Sequence, residues 1–243
     1  IVPRKLRCLV LFVFSLVFYA WGEPVWVSIL LVSSVVDYIN GRVVGKYKDK
    51  WQAKCALAFS LIFNLGVLFG FKYTGFFVEN INALTGLSIP VPNIKLPIGI
   101  SFYTFQTISY TVDCYWGKVK PQKNFAKFLM YVSLFPQLVA GPIVRYADIA
   151  QEIDDRKTTI KDFSDGMSRM ILGLAKKVII ANNLSTIVTS LFGSADNGYE
   201  NIASLSVAGT WYGAVLVGLW YYFDFSGYSD IAIGLGRIFG FHF

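Results

Sequence analysis

Asp224, Ser226, Tyr228 and Asp230 fall within seven residues of an otherwise apolar stretch, YYFDFSGYSDIAIGLGR, that closes on Arg237. If the stretch is helical, Asp224 and Tyr228 share one face, as do Ser226 and Asp230, because each pair is four residues apart. Asp230 and Arg237 are two turns apart, ~10 Å of rise, too far for contact without leaning or a bridging water. An Asp at the centre of a bilayer costs on the order of 2.5–3.5 kcal/mol. Residues so placed either line a polar tunnel or cap and pair structurally at the membrane boundary, and the residues alone leave both readings open. Ser226 lacks the G-x-S-x-G frame of a nucleophile elbow, because Asp224 stands at the first glycine position. No histidine is placed to act as its base, so it is not read as a nucleophile.

Gln106, Gln137 and Arg145 are further polar groups inside or at the edge of apolar words. Arg145 could meet the phosphates of an anionic donor through charge-assisted hydrogen bonds, or it could anchor the chain at the interface. His242 is the only histidine. Cys8, Cys55 and Cys114 are widely spaced, form no CxxC and have no histidine nearby to complete a zinc site, so no metal is expected. They read as free thiols.

The elements that must hold these residues are apolar. The chain of 243 residues is 55% hydrophobic and 15% charged, against roughly 25% charged in soluble domains. It holds 6 Trp, 14 Tyr and 21 Phe; Trp and Tyr suit the membrane–water boundary. The long apolar runs lack a regular polar face, which excludes a soluble domain with amphipathic helices. The net charge of +7 comes from basic residues clustered between apolar runs, a pattern of membrane topology and not of a nucleic-acid surface.

Apolar runs Cys8–Trp21 and Val25–Val36 flank Gly22-Glu23-Pro24. They can cross by extending through Arg4, Lys5 and Arg7 at one end and Asp37 and Asn40 at the other, or re-enter as a hairpin. Cys55–Phe71 follows a basic loop, Gly41–Lys54, and carries Gly66-x-x-x-Gly70, which could admit a neighbouring helix. Lys72–Lys95 reads as a loop. Leu96–Trp116 is the best spanning candidate, Gly117–Lys127 is a purely basic loop, and Phe128–Ile143 is short and broken by proline. Met170–Phe192 and Leu205–Phe223 span, Gly227 offers a break, and Ile231–Phe243 begins another helix. With the N-terminus in the cytoplasm, both basic loops fall inside.

Three words with fixed order and spacing carry a resemblance: LPIGISFYTFQ at Leu96–Gln106 with the turn Tyr115–Lys118 after it, FPQLVAGPIVR at Phe135–Arg145, and YFDFSGYSDIAIGLG at Tyr222–Gly236. The chain resembles the membrane-bound O-acyltransferase family, in its branch of bacterial polysaccharide O-acetylases. The resemblance implies an all-α polytopic membrane fold with short, tilted and re-entrant helices, residues 1–243 forming a single transmembrane domain in the cell's inner or plasma membrane. It implies an acyl group, most simply acetyl, passed from a cytoplasmic thioester donor (acetyl-coenzyme A or an acyl-carrier protein) with no bound cofactor. The acceptor implied is an exported polysaccharide, and an extracytoplasmic acetyltransferase is a further implied partner. Teichoic-acid acylation and a non-enzymatic transporter or scaffold are the alternatives.

Under this resemblance Asp224, Ser226, Tyr228 and Asp230 are candidates for the tunnel lining, and Gln137 and Arg145 for the donor side. The family's catalytic histidine is expected in a later Trp- and Arg-rich segment, so His242 is read as structural. On the same comparison the chain looks truncated at both ends.

Overall fold

The computed structural model describes residues 4–139, 141–194 and 197–243. The side chains of Arg4 and Lys5, for which snorkelling is expected, and Ala140 within the second sequence word lie outside the described residues. The described residues are helices and connections without a strand, and they form two compact units: residues 1–139 with 143–156, and 140–142 with 157–243.

In the first unit, α1 (Arg4–Gly22) and α2 (Val27–Lys46) are separated at Gly22-Glu23-Pro24, as the sequence predicts. α2 continues through Asp37 and Asn40 and reaches Lys46, so Arg42 and Lys46 stand on a helix and not in a loop. α3 is Trp51–Lys72, and α4 (Thr74–Thr85) occupies part of the segment read as a loop. Gly66 and Gly70 have no neighbour within contact distance of a Cβ among the described residues, so no helix uses that motif there. α5 (Ile100–Tyr115) is shorter than the expected span. Much of its surface, Tyr103, Gln106, Thr107, Tyr110, Thr111 and Asp113 included, is buried in the unit. α6 (Phe125–Ser133), α7 (Phe135–Leu138) and α8 (Tyr146–Asp154) complete it. Leu134 separates α6 from α7, with Pro136 in the first turn of α7, and Asn124 caps α6, its side-chain oxygen accepting from the Ala126 and Lys127 amides.

A buried polar knot ties α2, α3 and α5. Asp37, fully buried, accepts from Ser60 Oγ, from Asn64 Nδ2 at 2.7 Å and from Thr111 Oγ1 at 3.4 Å. These three partners are neutral, so the hydroxyls and the amide, not a counter-charge, replace water around this carboxyl group. The Tyr115–Lys118 word is a helix terminator. Gly117 adopts φ +72°, the Lys118 amide donates to the Asp113 carbonyl at 2.9 Å, and the Gly117 amide donates to that of Cys114 at 3.1 Å. These two bonds are the Schellman pattern, which requires a left-handed residue that only glycine adopts without cost.

In the second unit, α9 (Ile160–Ala175), a π-helical turn (Lys176–Ala181) and α10 (Asn182–Phe192) form one continuous helix. Thr159 and Asp162 start it with a capping box: Thr159 Oγ1 accepts from the Asp162 amide at 3.1 Å, and Asp162 Oδ2 accepts from the Thr159 amide at 3.0 Å. α11 (Val207–Ile238) returns antiparallel, capped by Ser206. Gly227 does not break it, and Ile231–Ile238 is its last stretch and not the start of another helix. The helix runs through Gly227 and stops at Ile238, because Gly227 is used for close packing. Among the described residues, α2, α3 and Ile160–Phe192 are long and apolar enough to cross a membrane.

Candidate functional site

The continuous helix from Ile160 to Phe192 and α11 meet backbone to backbone. A Cβ on Gly166 would lie 2.7 Å from the Gly234 carbonyl oxygen, and one on Gly227 would lie 2.8 Å from that of Gly173. The glycines recur seven residues apart on each helix, in antiparallel register. With no side chain at the crossing, the helices approach closely, and long polar side chains beside the glycines reach across.

Those side chains form a ladder of ion pairs. Arg237 Nη2 donates to Asp165 Oδ2 at 2.7 Å, and its Nε lies 3.8 Å from Asp162 Oδ1. Arg169 Nε donates to Asp230 Oδ1 at 3.0 Å. Lys176 Nζ donates to Asp230 Oδ2 at 2.6 Å and to Ser226 Oγ at 3.1 Å. Lys177 Nζ donates to Asp224 Oδ1 at 2.5 Å. Cations and carboxylates balance along the seam. Lys176 and Lys177 are adjacent in sequence yet both reach α11, because they open the π turn. Its wider i→i+5 winding rotates successive side chains less than an α-helix does, and such turns recur at functional sites.

The seam brings together three of the tunnel-lining candidates. Ser226 and Asp230 share a helix face, as the spacing predicts, and converge on Lys176. Asp224 binds the neighbouring lysine. Asp230 and Arg237 do not bridge each other, because each has nearer partners on α9. Tyr228 faces a different neighbour: a Cβ on Gly141 would lie 3.7 Å from its ring and 3.2 Å from the Ala232 Cβ. The glycine of the second sequence word therefore packs on the third word. His242 Nε2 is 3.6 Å from Asp162 Oδ1, at the capped start of α9.

The donor-side candidates lie in the first unit and are not alike. Gln137 is buried, and its Nε2 donates to the Tyr131 carbonyl at 2.9 Å. Gln106 Nε2 donates to the same carbonyl at 3.2 Å, so glutamines from the first two sequence words converge on one oxygen. The Gln137 Oε1 is buried without a hydrogen-bond partner among the described residues. Arg145 is exposed, and its amide donates to Asp148 Oδ2 at 3.3 Å at the start of α8. Nearby, Gln122 Nε2 donates to the Tyr146 hydroxyl at 3.0 Å, and burial pushes that phenol up to about 12, so it stays a neutral part of the core. Among the described residues no group of histidine, cysteine and acidic side chains could hold a metal ion.

The family model described as MBOAT, membrane-bound O-acyltransferase family, matches residues 120–243, which contain the whole seam. The chain belongs to the membrane-bound O-acyltransferase family. With its apolar helices this makes it a membrane protein. It is similar to the probable alginate O-acetylase AlgI of Azotobacter vinelandii, 37% identical over 99% of this chain and 48% of the relative. The corresponding protein of Pseudomonas syringae pv. tomato is 36% identical over 99% of this chain and 46% of its own length. The peptidoglycan O-acetyltransferase of Helicobacter pylori is 31% identical over 93% of this chain and 46% of the relative. The chain thus spans about half the length of the curated relatives it matches.

Arg169 and the glycine pairs escaped the sequence reading. The signal for them was there: Gly166 and Gly173 repeat the seven-residue spacing of Gly227 and Gly234. It becomes meaningful only when the two helices are known to be antiparallel partners.

Proposed function

We propose that the protein acts as a membrane O-acyltransferase that passes an acetyl group from a cytoplasmic thioester donor to a hydroxyl of an exported polysaccharide. The observation that carries this reading is the similarity to O-acetylases over almost the entire chain, with the charged seam inside the family-matched region. The chemistry is ester formation. The sugar oxygen attacks the thioester carbonyl, the hydroxyl proton passes to a base, and the thiolate leaves and takes a proton. Acetyl-coenzyme A or an acyl-carrier protein fits the donor role, and an extracytoplasmic acetyltransferase fits as a partner for the final transfer.

The seam is proposed to hold polar side chains at the level of the transfer path. Lys176 and Lys177 sit midway along a helix of about 50 Å at 1.5 Å per residue. There a charge is tolerated only when paired. The His242–Asp162 contact at the end of the seam suits a structural histidine, so the general base is not assigned to this chain's described residues.

Orientation has support from the first unit. The basic end of α2 meets the basic 117–124 stretch: a Cβ on Gly117 would lie 2.7 Å from Lys48 Nζ, and Tyr38 OH donates to the Lys123 carbonyl at 2.6 Å. Glu23, before the other end of α2, pairs with Lys95 at 3.8 Å. The basic stretches thus share one side, which the positive-inside rule assigns to the cytoplasm, in the inner membrane. Deleting the gene should abolish ester-linked acetate on the cell's exported polysaccharide, and restoring the full-length gene should return it. Unchanged acetate in the deletion strain would remove the proposal and favour a transport or scaffold role.

A further inference from the structure

The outward face of α2 changes character along its length. Val32, Val35 and Ile39 are 53%, 42% and 53% exposed. Arg42 and Lys46 continue the same three-four spacing on the same face. The opposite face, with Leu30, Ser33, Asp37, Asn40 and Val44, is buried in the unit. An apolar strip therefore ends in two cations on one side of a helix long enough to span.

A pocket of about 750 Å³ sits at that cationic end, lined among others by Ile39, Arg42, Lys46, Tyr38 and Lys123. Its floor depends on Gly45, where a Cβ would overlap the Pro121 ring, so only glycine lets the 121–123 segment close over α2. The lining residues include no carboxylate. Arg42 Nη1 donates only long bonds to neutral groups, 3.3 Å to Tyr38 OH and 3.4 Å to the Lys123 carbonyl. Lys46 lies over the Tyr47 ring at 5.3 Å. Neither they nor Lys123 forms an ion pair among the described residues, whereas every cation of the α9–α11 seam does.

We propose that this pocket binds the phosphate headgroup of an anionic phospholipid whose acyl chain lies along Val32, Val35 and Ile39. Charge decides the ligand class: three uncompensated cations select a phosphate-bearing anion over a zwitterionic head. The apolar strip decides its source, because a soluble phosphate makes no use of it. The site does not depend on the acyltransfer reading.

The test is lipid titration of the full-length purified protein, followed by native mass spectrometry. Phosphatidylglycerol and phosphatidylcholine of the same chain length are compared, with glycerol 3-phosphate as the soluble probe. The proposal expects phosphatidylglycerol to bind preferentially. The Arg42→Gln/Lys123→Gln variant should lose that affinity by at least about tenfold, given ~1 kcal/mol per basic residue at a membrane surface, with phosphatidylcholine unchanged. Lys46→Gln, which keeps the Arg42 contacts, should lose part of it, and Ile39→Asn should weaken the lipid but not glycerol 3-phosphate. The charge-matched control Lys50→Gln/Lys54→Gln should bind as the parent does. Equal binding of the two lipids, an equal loss in the control, or glycerol 3-phosphate binding as tightly as the lipid would each overturn it.

Discussion

Lys176 Nζ lies 2.6 Å from Asp230 Oδ2, and Arg169 approaches the other oxygen of the same carboxylate at 3.0 Å. One acid on α11 thus clamps two cations two turns apart on the facing helix. Each oxygen of the Asp230 carboxylate is thus paired with a different cation. Lys176→Met and Asp230→Asn should each lower stability, and their double-mutant cycle should return a coupling of about 1–3 kcal/mol, between the values for exposed and buried pairs. Denaturant unfolding of the purified protein measures it, and a coupling near zero would mean that the pair is incidental.

The glycine crossing makes a steric prediction. Gly173→Val or Gly227→Val must push the helices apart, at a cost of about 1–3 kcal/mol. Gly218 on the same helix has nothing within 4 Å of a Cβ, so Gly218→Ala should be neutral or slightly stabilising. Melting temperatures of the three variants in one detergent compare them directly. Equal behaviour at Gly218 and Gly227 would contradict the close approach.

The Asp37 knot predicts a contrast between two substitutions. Asp37→Asn keeps one oxygen to accept from Asn64 Nδ2 and presents its amide nitrogen to Ser60, whose hydroxyl can turn to accept, so it should cost little. Asp37→Ala strands those donors in the core, at about 1–3 kcal/mol for each unsatisfied group. Thermal unfolding of both variants checks the order, and an equal loss in the two would mean that the negative charge and not the satisfied donors holds the knot.

Gly117→Ala should cost about 1–2 kcal/mol, because its left-handed backbone is disfavoured for any residue with a Cβ. The same change at Gly66, which is helical and uncrowded, should not. A melting shift confined to Gly117 supports the terminator role of the Tyr115–Lys118 word.

Composition and the long apolar runs made the helical membrane class legible, and the three sequence words made the family legible. The positions of single residues followed where local spacing decides them, as with Ser226 and Asp230 on one face of α11. What could not be read were relations between distant helices. Gly227 looked like a point of flexibility because, taken alone, a glycine inside a helix weakens it; its partner Gly173 lies far away in sequence. Leu96–Trp116 looked like a span by hydropathy, but Gln106, Thr111 and Asp113 find partners inside the unit and shorten it to a buried helix. The exposed apolar strip of α2 was hidden in the same way, since Asp37 and Asn40 interrupt the apolar run from the buried side only.

The central claim is that the seam serves acyl transfer, and ester-linked acetate on the exported polysaccharide tests it most directly. The measurement compares full-length parent protein with Asp224→Ala and Lys176→Met at matched membrane abundance. The proposal predicts at least about a tenfold loss of acetate in each variant, the effect of ~1.4 kcal/mol on the barrier. Parent-level acetate in both variants would contradict it and leave the seam as a helix-pairing device alone.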